Sequence, residues 1–196
     1  GSAGQLGAAH SQSFDSWYAN CPGLKVVVPS NPYDAKGLLK SSIRDNNPVI
    51  FMESEQMYGD KQVIPEEEYL IPLGQAKIIT SGPDVTIVSY GKMLKVVSHA
   101  ISKLNKQEIY PELIDLRTLR PIDYDLIIQS VKKTNRLIIV EESWPLGSIS
   151  SEISYKVQKE AFDYLDAPIE IVSGKDVPLP YAANLEKMSL PTVEEI

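Results

Sequence analysis

VTIVSYGKMLKVVSHAISKLN, residues 85–105, carries the clearest strand-to-helix pattern in the chain. Val85 to Ser89 is a short apolar, β-branched run of strand length. After a turn, Lys92 to Asn105 reads as a helix. In it Leu94, Val97, Ile101 and Leu104 make one apolar stripe, while Lys95, Ser98 and Lys103 face away. A buried strand followed by a one-sided helix is the first half of a crossover between parallel strands. Working outward, further candidate strands are Ala76–Thr80, Glu112–Leu116, Leu137–Val140 and Ile169–Val172. Helical stretches at Tyr124–Lys133 and Ile149–Leu165 lie between them. This alternation predicts an α/β class domain of the doubly wound kind, with right-handed crossovers.

Toward the N-terminus the pattern is shorter. Ser11 through Ala19 predicts a helix ended by Pro22 and Gly23, and Lys25–Val28 a strand closed by Pro29. Asn31 is placed to cap the next helix with Pro32 in its first turn, and Ala35, Leu38, Leu39, Ser42 and Ile43 recur at helical spacing. Pro48 then introduces a strand at Val49–Met52. From Glu53 to Pro72 no period is visible, and Gly59, Pro65, the acidic run Glu66-Glu67-Glu68 and Pro72 mark a surface connection. The expected division is therefore a first unit over 1–58, a linker over 59–73 and a second unit over 74–196. With only two or three strands to bury, the first unit is expected to be the less stable. The proline-rich tail from Val177 is expected to wrap the surface.

Bulk properties narrow the function. The chain has 196 residues, 43% of them hydrophobic and 23% charged, with 26 Asp and Glu against 19 Lys and Arg for a net charge of −7. An acidic balance argues against nucleic acid as the main partner. No apolar run approaches the roughly 20 residues of a membrane span. GSAGQLGAAHSQ has neither the basic nor the apolar region of a signal peptide, and a cytosolic or organelle-matrix setting is expected. Cys21 is the only cysteine, which leaves no disulfide or cysteine metal site within one chain.

No GxGxxG after a strand, GxxxxGK, HExxH or GxSxG occurs, so no complete catalytic set is visible. His10 follows small residues (Ala3-Gly4 and Gly7-Ala8-Ala9) that let backbone approach a ligand, and it precedes Ser11-Gln12. It could donate to a substrate carboxylate or shuttle a proton, or it could simply start a helix. His99, mid-helix between Ser98 and Ala100, reads as structural. Asp45-Asn46-Asn47-Pro48 offers oxygens to a hard cation beside the free carbonyls of a helix end, but equally makes an ordinary cap and turn. Glu141-Glu142 follows the Leu137–Val140 strand, where open α/β sheets place ligands. The simpler reading is that one glutamate caps the next element and the other is solvated.

Several segments carry a resemblance. HSQSFDSWYANCPGLKVVVPSNPYDAKGLLKSSIRDNNPVIFMESEQMYG, 10–59, resembles the pyrimidine-domain half of the beta subunits of thiamine-diphosphate-dependent 2-oxo acid dehydrogenases. LRTLRPID, KTNRLIIVEE, AFDYLDAPI and GKDVPLPYA resemble their transketolase-like C-terminal domain, so the likeness covers essentially the whole chain in order. The fold it implies is the remnant of a pyrimidine-binding parallel-sheet domain followed by a doubly wound transketolase C-terminal-like domain. The reaction it implies is oxidative decarboxylation of pyruvate, then reductive acetylation of a lipoyl group on an acyltransferase core, with thiamine diphosphate as electron sink.

The same resemblance assigns residues. It places His10 at the active-site histidine near the substrate and the lipoyl entry path. Ser42, Ile43, Asp45 and Asn47 fall on a potassium site made of two backbone carbonyls and two side chains, and Asp166 on an acidic residue that docks the core. Partners implied are an alpha subunit, in an α2β2 heterotetramer, and the lipoyl-bearing core, with magnesium held mainly by the alpha partner. The cofactor-activating glutamate is expected to precede Gly1 and a final core-binding tail to follow Ile196, so the chain alone is expected to be inactive. MYG after the second strand resembles the pyruvate-acting members more than the branched-chain ones. A branched-chain or acetoin enzyme is the near alternative, and a non-catalytic dimerisation and docking module the distant one.

Overall fold

The computed structural model describes residues 1–2 and 4–196. The chain runs α1 (Asp15–Ala19), β1 (Lys25–Val27), α2 (Pro32–Arg44) and β2 (Val49–Phe51). After a long connection come β3 (Lys77–Thr80), β4 (Val85–Ser89), α3 (Met93–Leu104), β5 (Pro111–Asp115) and β6 (Thr118–Arg120). Then come α4 (Tyr124–Thr134), β7 (Leu137–Val140), α5 (Ile149–Ala161), β8 (Glu170–Val172) and α6 (Ala183–Met188).

The segment 85–105 sits at the centre of the fold as β4 and α3. All of β4 is buried between β5 and β7, parallel to both, in a five-stranded sheet of order β3-β5-β4-β7-β8. Alternate side chains serve opposite faces. Val85 and Ile87 pack with Met93, Leu94, Val97 and Ile101 of α3. Val88 joins Ile127 and Val131 of α4 and Ile153 and Val157 of α5. Thr86, on a buried strand, satisfies its hydroxyl with Ser130 at 2.6 Å and Thr134 at 2.7 Å, both on α4. Helices on both faces are what the doubly wound expectation requires.

A second sheet, order β2-β1-β6, has three strands. β1 and β2 are parallel with Val26 opposite Ile50, whereas β6 is antiparallel, with Val26 opposite Arg120 and Val27 opposite Thr118. Val27 and Leu38 of α2 form a small core with Ile71 from the connection.

Several details differ from the sequence reading. The first helix begins at Asp15, not Ser11, and Phe14 at its N-cap supplies no side-chain acceptor. The connection is not wholly superficial: Ile71 is buried and the Tyr69 ring stacks on Tyr33 with centroids 4.5 Å apart. Gly37 makes room for it, since a Cβ there would meet Ile71 Cγ1 at 2.7 Å. β3 runs antiparallel to β5 as an exposed edge, so the large sheet is mixed, and β6 makes the small one mixed too. The tail carries a short helix, α6, that its prolines concealed.

Candidate functional site

From β4 the chain crosses through α3 to β5 on one side, then returns through β6 and α4 to β7 on the other. The carboxyl ends of β4 and β7 therefore flank a topological switch point, where open α/β sheets leave a crevice for ligands. Here the ends are Tyr90-Gly91-Lys92 and Glu141-Glu142-Ser143. Strands buried on both faces force these polar residues to the rim, and the first unit closes over them.

Tyr90 is buried, and its Oη lies 2.6 Å from Asp15 Oδ2 of α1 and 3.1 Å from Glu141 Oε2. Asp15 also accepts from the Ser143 hydroxyl and from the Ser16 N–H at 2.8 Å. Glu141, fully buried, accepts from the Ser150 hydroxyl and, at 3.3 Å, from the Ser150 N–H in the first turn of α5. Burial pushes the Glu141 carboxyl up to about 6 and outweighs the donors Ser150 and Ser148. Burial likewise raises the Tyr90 phenol well above its ordinary value, with Asp15 and Glu141 adding to the shift. Next along, Lys92 Nζ is 2.7 Å from Glu142 Oε1 and donates to Ser2 O at 2.8 Å. Glu141 thus adds an acceptor to the first turn of the following helix, whose N-cap is Ser148. Glu142 is not solvated, because a buried lysine has to be neutralised.

A second buried polar group lies at the end of β5. Asp115 Oδ1 accepts from Ser30 Oγ at 3.0 Å and from the Arg117 N–H at 3.1 Å, and Arg117 pairs with Asp34 of α2 at 2.6 Å. Burial raises the Asp115 carboxyl to about 7, against the Arg117 N–H bond that lowers it, with Asp34 adding to the rise. Neither cluster was singled out from sequence apart from Glu141-Glu142. The carboxyl-end rule applied to β4 and β5 would have found Tyr90, Lys92 and Asp115, whereas nothing local marks Asp15.

The other expected residues fall elsewhere. His10 is exposed in a turn over residues 8–10, its N–H donating to Gly7 O at 3.3 Å. Ser42 and Asp45 end α2, with the Asp45 N–H on Ser42 O at 3.3 Å. Asn47 donates to Asp45 Oδ1 through its N–H at 2.9 Å and its amide at 2.8 Å, and Lys25 pairs with Asp45 Oδ2. The Lys25 bond, then Asn47, hold the Asp45 carboxyl down at about 2. A cap and turn with its own ammonium is the geometry present; Ile43 is exposed beside it. Asp166 is exposed, 3.7 Å from Arg136, with its N–H donating to Asn135 O at 2.9 Å. His99 lies on the exposed face of α3 rather than in a packed structural role.

Beside the switch point, a groove of about 1020 Å³ runs between α1, the β6–α4 turn and the start of α5. Trp17 and Leu146 stand on it 68% and 87% exposed, apolar surface on a polar rim.

Comparison with known proteins supplies the family. The transketolase C-terminal domain family matches residues 74–196 and the transketolase pyrimidine binding domain family residues 1–61, so the chain belongs to the transketolase family. Over 196 residues it is 53% identical to the pyruvate dehydrogenase E1 component subunit beta of Rickettsia felis, covering all of this chain and 60% of that one. The subunit of the same name in Rhizobium meliloti is 51% identical, again over all of this chain and 43% of its own length. The mitochondrial subunit beta-2 of Oryza sativa is 49% identical over all of this chain and 53% of its own. The chain thus spans about half the length of the curated relatives it matches. A split-gene transketolase, solved as an inactive beta4 tetramer, superposes with a TM-score of 0.81 at 22% identity, over 96% of this chain and 60% of that one. That likeness concerns the fold alone.

The crevice at the switch point does not by itself hold thiamine diphosphate. The crevice between Tyr90, Lys92, Glu142 and the first unit's Pro29 and Glu53 measures about 50 Å³, far below a cofactor-sized pocket. Among the described residues no cluster of His, Cys, Asp and Glu could hold a metal such as magnesium.

Proposed function

We propose that the chain acts as part of a pyruvate dehydrogenase beta subunit, in thiamine-diphosphate-dependent oxidative decarboxylation of pyruvate and reductive acetylation of a lipoyl group on an acyltransferase core. The observation that carries this is identity of 49–53% to subunits of that name, spread over all of the chain. An alpha subunit, in an α2β2 assembly, would complete the cofactor site and bring the magnesium ligands. Bacterial and mitochondrial relatives support a bacterial cytoplasm or an organelle matrix as its place, and no helix of the described residues is long and apolar enough to cross a membrane. We divide the chain at 1–58, 59–73 and 74–196, a division supported by the two family matches.

Within this reading His10 is the catalytic candidate. Its exposure leaves the ring free to meet a substrate carboxylate or an incoming lipoyl group. Ser42, Ile43, Asp45 and Asn47 would take a potassium ion only by displacing the Lys25 ammonium from Asp45. Added potassium chloride should then raise the melting temperature more than sodium chloride does, and Lys25→Met should strengthen the difference. Asp166, exposed with its partner Arg136, would meet a basic face of the core.

The deciding experiment uses the full-length subunit co-expressed with its alpha partner. Turnover of pyruvate and of a branched 2-oxo acid is followed with an artificial electron acceptor, alongside His10→Ala. Pyruvate preference, weakened at least tenfold by the substitution, is expected. Preference for the branched acid would change the enzyme but keep the family. Absence of turnover in a folded tetramer would favour a docking module, a reading that the exposed groove at Trp17 and Leu146 supports.

A further inference from the structure

The Asp15–Tyr90–Glu141 cluster has more acceptors than protons. Tyr90 carries one hydroxyl hydrogen, yet its Oη is within hydrogen-bonding distance of two carboxyl groups, 2.6 Å from Asp15 and 3.1 Å from Glu141. Asp15 collects donors only: the phenol, the Ser143 hydroxyl and the Ser16 N–H. The phenol hydrogen therefore goes to Asp15, the shorter contact. If Glu141 were ionised, its Oε2 would face the lone pairs of a phenol oxygen in a fully buried site, which is repulsive. If Glu141 is protonated, it donates to Tyr90 and the chain Glu141–Tyr90–Asp15 closes with every hydrogen used.

We propose that a protonated Glu141 is a positioning residue that, through Tyr90 and Asp15, fastens α1 and the His10 turn preceding it to the switch point of the second sheet. Both ends of the chain are fixed independently. Glu141 is anchored on the first turn of α5 by Ser150, and Ser143 holds the far oxygen of Asp15. Three covalently distant segments meet here, with Asp15 and Tyr90 separated by 75 residues and Tyr90 and Glu141 by 51. The nearest charges are Asp15 itself and, one residue along, the Lys92–Glu142 pair with the Gly1 ammonium beside it. Burial as the leading influence on Glu141, with Asp15 adding to it, agrees with the geometry. Loss of the proton puts two like charges on either side of one phenol and loosens the α1 end, leaving the core contact of Ala19 to hold the helix at its other end.

The consequence for turnover rests on the role given to His10, but the test does not. Hydrogen-exchange protection of residues 11–19 is measured in the 196-residue chain at pH 5 and pH 8, after correction for intrinsic exchange, together with the melting temperature. Wild-type protection is expected to fall on the order of tenfold across that range. Glu141→Gln keeps a donor toward Tyr90 without a titrating proton, so its protection of residues 11–19 relative to β4, which reports the separate titration of Asp115, should be independent of pH and match the wild type at pH 5. Tyr90→Phe removes the relay and should show low protection at both values. A wild type without pH dependence, or a Glu141→Gln protein that keeps the wild-type dependence, overturns the proposal. Because no activity is read, a His10→Ala enzyme with full turnover would remove the catalytic role of His10 and leave this result standing.

Discussion

At the scale of single residues, the sharpest expectations come from close approach and from burial. A Cβ on Gly82 would sit 1.9 Å from the Tyr110 carbonyl oxygen, a backbone atom that cannot swing aside. Gly82→Ala should cost about 3 kcal/mol in chemical denaturation. Leu38, fully buried against Val27 and Ile71, should cost about 2–5 kcal/mol as Leu38→Ala. Asp45 behaves oppositely to the buried acids. Its carboxyl is held down at about 2 by Lys25, so the stabilisation is present above the ordinary value of 3.8 and is lost as pH falls through 2. Carboxyl NMR titration of Lys25→Met should show Asp45 returning toward the ordinary range. At this scale the sequence announced positions better than circumstances. His10 and Asp45 stood out by type and neighbours, but the exposure of the one and the lysine partner of the other, 20 residues upstream, depend on the folded chain.

Elements were legible where pattern was long. α3 and α4 follow their apolar stripes, and α2 starts at its cap, where Asn31 accepts from the Asp34 N–H at 2.9 Å. Asn31→Ala should therefore lower stability by about 1 kcal/mol, read as a shift in denaturation midpoint with unchanged slope. Short elements stayed hidden. β6 spans three residues between the left-handed Arg117 and Pro121, too few for any periodicity to register. α1 is shorter than the Ser11–Ala19 expectation, since the residue at the N-cap is Phe14. The first sheet, small and dependent on the second unit for one strand, should exchange its amides faster than β4, β5 and β7. Uniform protection through 11–52 would contradict this.

For the whole molecule, buried acids set the response to pH. Glu141 rises from 4.5 to about 6 and Asp115 from 3.8 to about 7. A raised carboxyl favours the folded state fully below its unfolded value and loses that advantage as pH climbs through the folded one. Stability should thus decline from about pH 4 to pH 7, and Asp115→Asn should flatten the upper part of that decline in urea titrations at stepped pH. The overall architecture was readable because strand and helix alternate over most of the length. The switch-point cluster was not, since it is assembled from three segments whose proximity only topology creates.

One thread of that topology reaches beyond stability. By sequence, Thr118–Arg120 lies inside the 74–196 match; by hydrogen bonding it is a strand of the sheet that β1 and β2 build within residues 1–61. The two halves are stitched rather than strung. A protease nick between Val63 and Glu68, where side chains are mostly exposed, would cut the string and leave the stitch. The halves should then copurify as a nicked pair, and made as separate polypeptides they should find each other through β1 and β6. Such a chain is a natural split reporter, with its seam already built into the fold.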